Sequence, residues 1–148
     1  MKTISSSPRY NTSLYFTNYT TYIQRNMGSW TPDAITMSCW IKGTNKSPRG
    51  GFHLPLNMHS TNFEISIAGS SGKARMGYMI GGTRRVSDIG SDILDGKWHM
   101  LTSTYDGANF CRYIDGELVT SNAYTGALTT LSTLGVGQFP GSTNYGNT

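Results

Sequence analysis

The residues able to do chemistry are few. Of the 148 residues, Asp and Glu total 8 and His 3, with 2 Cys. The glutamates are Glu64 and Glu117, and Asp95, Asp106 and Asp115 each precede a glycine, as turn residues do. Glycoside hydrolysis needs two carboxylates flanking the scissile bond. No two acids here share a strand face at i, i+2 spacing, so no catalytic residue is assigned and no enzyme is expected. His53 and His59 fall on one outward strand face by alternation. Six residues place them roughly 20 Å apart on a strand, too far for one zinc ion. Cys39 reads as a small core hydrophobe, while Cys111 points away from the side that carries Phe110 and Ile114. Neither cysteine has a histidine beside it in sequence, and no disulfide between them is expected.

What remains is recognition. Polyhydroxylated ligands are held by amide, guanidinium and imidazole groups, with aromatic rings against their apolar faces. The candidates that face away from the core are His53, Asn57, His59, Arg75 and Tyr113. Arg84 and Arg85 flank the next strand and add positive charge, which favours acidic glycans. Trp30, ahead of Thr31-Pro32, is the best candidate for an exposed aromatic, whereas Trp40 and Trp98 are expected to pack in the core.

Strands must position these groups. Ile35, Met37, Cys39 and Ile41 alternate with polar residues and Trp40, as Phe63, Ile65 and Ile67 do with Glu64 and Ser66. Ala74, Met76, Tyr78 and Ile80 form a third such set, and Phe52, Leu54, Leu56 and Met58 a fourth. Asp95-Gly96, Asp106-Gly107 and Asp115-Gly116 bound two β-rich segments, so residues 97–119 predict a three-stranded antiparallel meander. One more short strand is expected around Leu134-Gly135-Val136. No stretch carries helical periodicity, and 18 glycines punctuate the chain. Many short strands without helices predict an all-β, two-sheet antiparallel sandwich.

Composition narrows the function classes. Charged residues make up 14% and aromatics 11%, which argues against a disordered chain. The formal charge of +4 is scattered, with no nucleic-acid-reading motif, so no nucleic acid partner is expected. No apolar run approaches the ~20 residues of a membrane span, and Met1 to Ser7 shows no secretion signal.

The segment Asp95-Gly96-Lys97-Trp98-His99 through Thr104-Tyr105-Asp106-Gly107, continued by Tyr113-Ile114-Asp115-Gly116-Glu117-Leu118-Val119, resembles the concanavalin A-like lectin/glucanase superfamily in its laminin G-like branch. Thr36-Met37-Ser38-Cys39-Trp40-Ile41-Lys42 is similar to an upstream strand of that family, and Leu134-Gly135-Val136-Gly137 to a late one. Ser13 to Phe16 and Tyr22-Ile23 resemble its opening strands.

The resemblance implies a jelly-roll sandwich, a single domain over residues 1–148, and a non-catalytic carbohydrate- or receptor-binding (adhesion) module. It points to a phage tail, fibre or virion appendage, or to a bacterial cell surface protein, with a glycan or host-surface polysaccharide as partner. The alternatives are a structural virion or assembly protein, and an accessory domain of a larger glycosidase. Catalytic relatives carry a compact E-x-D-x-E strand that is missing here. No cofactor is implied, with calcium as the alternative, its ligands unassigned. Some relatives bind calcium through an opening segment that often carries Asp; here it reads Phe16-Thr17-Asn18-Tyr19-Thr20, without carboxylates. The family's closing strand has no counterpart before Thr148, so a truncated chain, or one completed by another chain or a homo-oligomer, is expected. Arg112 stands where relatives carry an apolar residue, and a buried arginine needs a partner.

Overall fold

The computed structural model describes residues 2–3, 14–15, 22–46, 52–58 and 63–137. The strands are β1 (Lys2–Thr3), β2 (Leu14–Tyr15), β3 (Tyr22–Trp30), β4 (Ile35–Lys42), β5 (Phe52–Met58) and β6 (Phe63–Ala68). They continue as β7 (Lys73–Ile80), β8 (Thr83–Asp92), β9 (Trp98–Tyr105), β10 (Asn109–Ile114), β11 (Glu117–Ala123) and β12 (Leu131–Gly137). Among the described residues there is no helix. A six-stranded sheet runs β3-β12-β5-β6-β7-β8 and a four-stranded sheet β11-β10-β9-β4, all antiparallel, while β1 pairs with β2.

The expected meander is β9-β10-β11. Its last turn is built by Asp115 at φ 55° and Gly116 at φ 87°, the left-handed pair that a two-residue hairpin loop requires. The Asp106 carboxylate accepts from the backbone N–H groups of Ala108 (2.9 Å) and Asn109 (2.6 Å), which fixes the turn before it.

The two sheets stack with β11 against β8, β9 against β6 and β4 against β5. Alternation delivers one apolar face from each. Met37, Leu101, Tyr105 and Phe110 meet Phe63, Ile65, Met76 and Tyr78, all at most 2% exposed. Burying side chains of this size stabilises by about 1.5–3 kcal/mol each. Tyr78 joins the layers. Its ring stacks on Phe110 at 4.7 Å, and its hydroxyl lies 2.8 Å from Ser103 Oγ and donates to the Ser103 carbonyl at 2.9 Å. Burial pushes the Tyr78 phenol pKa up, which keeps this donor protonated. Cys39, opposite Leu101, also lies on the core side, where burial pushes its thiol pKa up to about 12. Both cysteines are free thiols.

Two expectations about facing need correction. A register shift in β5 between His53 and Leu56 adds a residue against β6. His53 therefore pairs with core-facing Ile67 instead of sharing the outward face of Asn57, while Leu56 and Met58 still pack on the core. Trp40, expected in the core, is 60% exposed, because it follows Cys39 in strict alternation. Trp98, registered with Lys42, is half-buried and outside the core cluster.

Candidate functional site

The outer face of the six-stranded sheet, turned away from the core, carries a polar network. Strand register builds it. Asn57 of β5 stands opposite Glu64 of β6, which stands opposite Gly77 of β7. One rung away, Ser66 faces Arg75, which faces Asp88 of β8; Arg84 enters from the other side, paired with Met79.

Glu64 is the hub. Its Oε2 lies 2.8 Å from Arg84 Nη2 and its Oε1 lies 3.5 Å from Arg75 Nε. Arg75 Nη1 donates to Asp88 Oδ1 at 2.8 Å. The Ser66 hydroxyl sits between the rungs, 3.2 Å from the Arg75 carbonyl that it donates to. Glu64 is only 2% exposed although it points away from the core. Burial raises its pKa, and the charges of Arg84 and Arg75 act against that rise.

Glycines make room for the network. A Cβ at Gly77 would stand 2.7 Å from the Cβ of Val86, so glycine lets Val86 of β8 lie close against β7 beside the network. A Cβ at Gly135 of β12 would stand 2.6 Å from Asn57 Oδ1. Asn57, fully buried, uses that space and donates from Nδ2 to the Gly137 carbonyl at 3.3 Å. Its Oδ1 is buried without a hydrogen-bond partner among the described residues.

The sequence-derived candidates thus separate. Asn57, Arg75 and Arg84 come together on this face. His53 lies on the core side of β5, where burial lowers its pKa and a hydrogen bond to the Asn45 backbone opposes that shift. Tyr113 lies on the outer face of the other sheet, opposite Thr102. Trp30 ends β3, opposite Leu131, and is 48% exposed. His59 falls outside the described residues, as does the segment 16–20 weighed for calcium. Among the described residues, no three His, Cys, Asp or Glu side chains gather as a metal site would require. Glu64 and Asp88 were missed as partners of the arginines. Alternation already turned Glu64 outward, but only strand register brings it to Arg84.

Register also revises the charge of this face. Arg75 and Arg84 are met by Glu64 and Asp88, so the network is balanced where a cationic surface was expected. Arg85 turns the other way, toward the ring of Tyr124. At its exposed side the array presents the Asp88 carboxylate as an acceptor and the Arg84 guanidinium as a donor at fixed positions, which suits neutral hydroxyl groups.

The comparisons agree with this architecture. A family profile described as the concanavalin A-like lectin/glucanases superfamily, of the laminin G type, matches residues 16–146. No curated protein sequence matches the chain. Among solved structures, the binding domain of botulinum neurotoxin serotype G superposes with a TM-score of 0.60 at 12% identity, over 97% of this chain and 36% of that one. Domains LG4-5 of the mouse laminin alpha1 chain give 0.56 at 16% identity, over 77% and 30%. A botulinum neurotoxin type C structure, whose description ties cell entry to two ganglioside molecules, gives 0.55 at 17% identity, over 74% and 29%. This chain therefore spans about a third of the length of those solved chains. At such identities the likeness speaks for the fold. With the profile covering most of its length, the chain belongs to the laminin G-like family of the concanavalin A-like lectin/glucanases superfamily.

Proposed function

We propose that this chain is a non-catalytic carbohydrate- or receptor-binding module that uses the outer face of the six-stranded sheet around Glu64, Arg75, Arg84 and Asp88. The observation that carries this reading is Glu64 itself. A carboxylate at 2% exposure, with two guanidinium groups held over it, adds little net stability against an apolar alternative. Its value lies in geometry, since it fixes donors and acceptors before a ligand arrives. Both Glu64 oxygens are engaged by arginines and Asp88 Oδ1 by Arg75, which supports a role in holding the array rather than the paired acid and base of a glycosidase. Low affinity per site would be raised by presenting several copies.

The setting proposed is a phage tail, fibre or virion appendage, or a bacterial cell surface. A second reading, an assembly protein whose surfaces contact other subunits, is favoured by β3. All nine of its residues are exposed, including Tyr22, Ile23, Met27 and Trp30. A glycan array probed with the purified chain separates the two. Binding to a defined set of saccharides that weakens at least about tenfold in Arg84→Met supports recognition by this face. Background signal across host polysaccharides, combined with a concentration-dependent oligomer in solution, overturns it in favour of assembly.

A further inference from the structure

A second basic cluster lies between the sheets, with no acid paired to it among the described residues. Arg112 of β10 faces inward opposite Ser103 and is only 4% exposed. Its Nη1 donates to Ser87 Oγ of β8, and its Nη2 donates to Asn122 Oδ1 of β11 at 2.6 Å. The guanidinium carbon stands 4.8 Å from the centre of the Phe110 ring, and Nε is buried with no hydrogen-bond partner among the described residues. Two residues before Ser87, Arg85 lies on the same side of β8, its guanidinium carbon 4.7 Å from the centre of the Tyr124 ring. Its Nε is also buried and unpartnered, as is Thr120 Oγ1, which the register sets beside Arg112. Among the described residues, no carboxylate pairs with either guanidinium.

This contrasts with the outer face, where two arginines meet two acids. Neutral oxygens accept from Nη1 and Nη2 of Arg112 but do not cancel its charge, and an uncompensated charge in an apolar layer is costly. Two guanidinium groups on the inner sides of β8 and β10, with three donors that have no partner among the described residues, are the complement of an oxyanion. We propose that the seam where β8 meets β11 is an oxyanion-binding site for a carboxylate or sulfate group, carried by an acidic saccharide or as a free anion. Arg112 forms its floor. Arg85, Ser87, Thr120, Asn122 and Tyr124 are half-buried, so the site opens at this edge of the sandwich. The site shares no residue with the outer-face network and stands independently of the function proposed for it.

The test is thermal unfolding of the purified chain in sodium sulfate and sodium acetate against sodium chloride at matched ionic strength. A saturable rise in Tm of roughly 3–6 °C, at about ten times the dissociation constant, is expected for the oxyanions over chloride. Because Arg112→Met alters the core, the rim variants Arg85→Met and Thr120→Val decide. The rise is lost in Arg85→Met and reduced in Thr120→Val if the site is real. An equal rise in chloride, a rise retained in Arg85→Met, or no rise at all overturns the proposal. A sulfated, uronic acid-containing disaccharide then separates the sources. An acidic saccharide as occupant binds at least about tenfold more tightly than sulfate, and a free anion as occupant reverses that order.

Discussion

Arg84 Nη2 stands 2.8 Å from Glu64 Oε2 across two strands, β6 and β8, that are not neighbours in their sheet. Gly77, on the intervening strand, stands opposite Glu64 on one side and Val86 on the other. Removing the acid alone, in Glu64→Ala, leaves guanidinium groups without their counter-charge and is expected to lower stability by about 2–3 kcal/mol. The double variant Glu64→Ala/Arg84→Met is expected to recover about 1 kcal/mol of that, a modest coupling because Arg84 is a third exposed. Urea unfolding of the four-member cycle measures it, and additive single effects would show that the pair is not coupled.

Asn57 depends on a glycine of its own. In Gly135→Ala the new methyl group meets Asn57 Oδ1 at 2.6 Å and pushes the amide off its bond to the Gly137 carbonyl. A loss of about 1–3 kcal/mol is expected in urea unfolding. Asn57→Ala in the same background should relieve most of the clash, so the double variant is expected to be more stable than the sum of its parts predicts.

Tyr78→Phe keeps the ring stack on Phe110 and removes the hydroxyl that bridges to Ser103. It is expected to cost about 1–2 kcal/mol, read as a fall of roughly 3–7 °C in Tm. A change below about 0.5 kcal/mol would mean that the cross-sheet hydrogen bond is not holding the layers in place.

His99 supplies the pH dependence. Its Nδ1 lies 2.8 Å from Asp115 Oδ2 and its Nε2 lies 3.1 Å from Asp95 Oδ1, which ties the segment before β9 to the β10–β11 turn. Burial acts to lower the imidazole pKa, but the two carboxylates outweigh it and raise it above its ordinary 6.5. The stabilisation is therefore complete below that ordinary value and is lost as pH rises through the raised one. The carboxylates work in the opposite direction. The Lys97 backbone N–H and His99 hold Asp95 down at about 2, and Asp115 is also lowered, with burial resisting and His99 and the Met100 N–H prevailing. Their contribution fades as pH falls below the ordinary carboxylate range. The Tm difference between the native chain and His99→Gln is expected to be widest between about pH 4.5 and 6.5 and to shrink toward pH 9. A difference that grows with rising pH would contradict the charged clamp.

Much of the architecture was legible because local rules wrote it. The Asp-Gly pairs fixed the β9-β10-β11 meander, and strict alternation placed Met37, Phe63 and Met76 inside. The same alternation already exposed Trp40, against the general preference of tryptophan for cores. His53 was misplaced because one extra residue in β5 inverts its facing relative to Asn57; the mark was Pro55, which donates no ladder hydrogen bond and inside a central strand signals a bulge. The meeting of Glu64, Arg75, Arg84 and Asp88 depends on pairing across three strands, which periodicity within one strand does not encode. Arg112 is the reverse case. Its oddness was visible in the sequence, and its partners, Ser87 and Asn122, come from two different sheets.

Backbone amide mapping during titration with the strongest saccharide from an array tests the central claim most directly. The account predicts shift changes centred on Asn57, Glu64, Ser66, Arg75, Gly77, Arg84 and Asp88. Changes confined to the outer face of the other sheet around Trp40 and Tyr113, or the same changes in Arg84→Met at unchanged affinity, would contradict it.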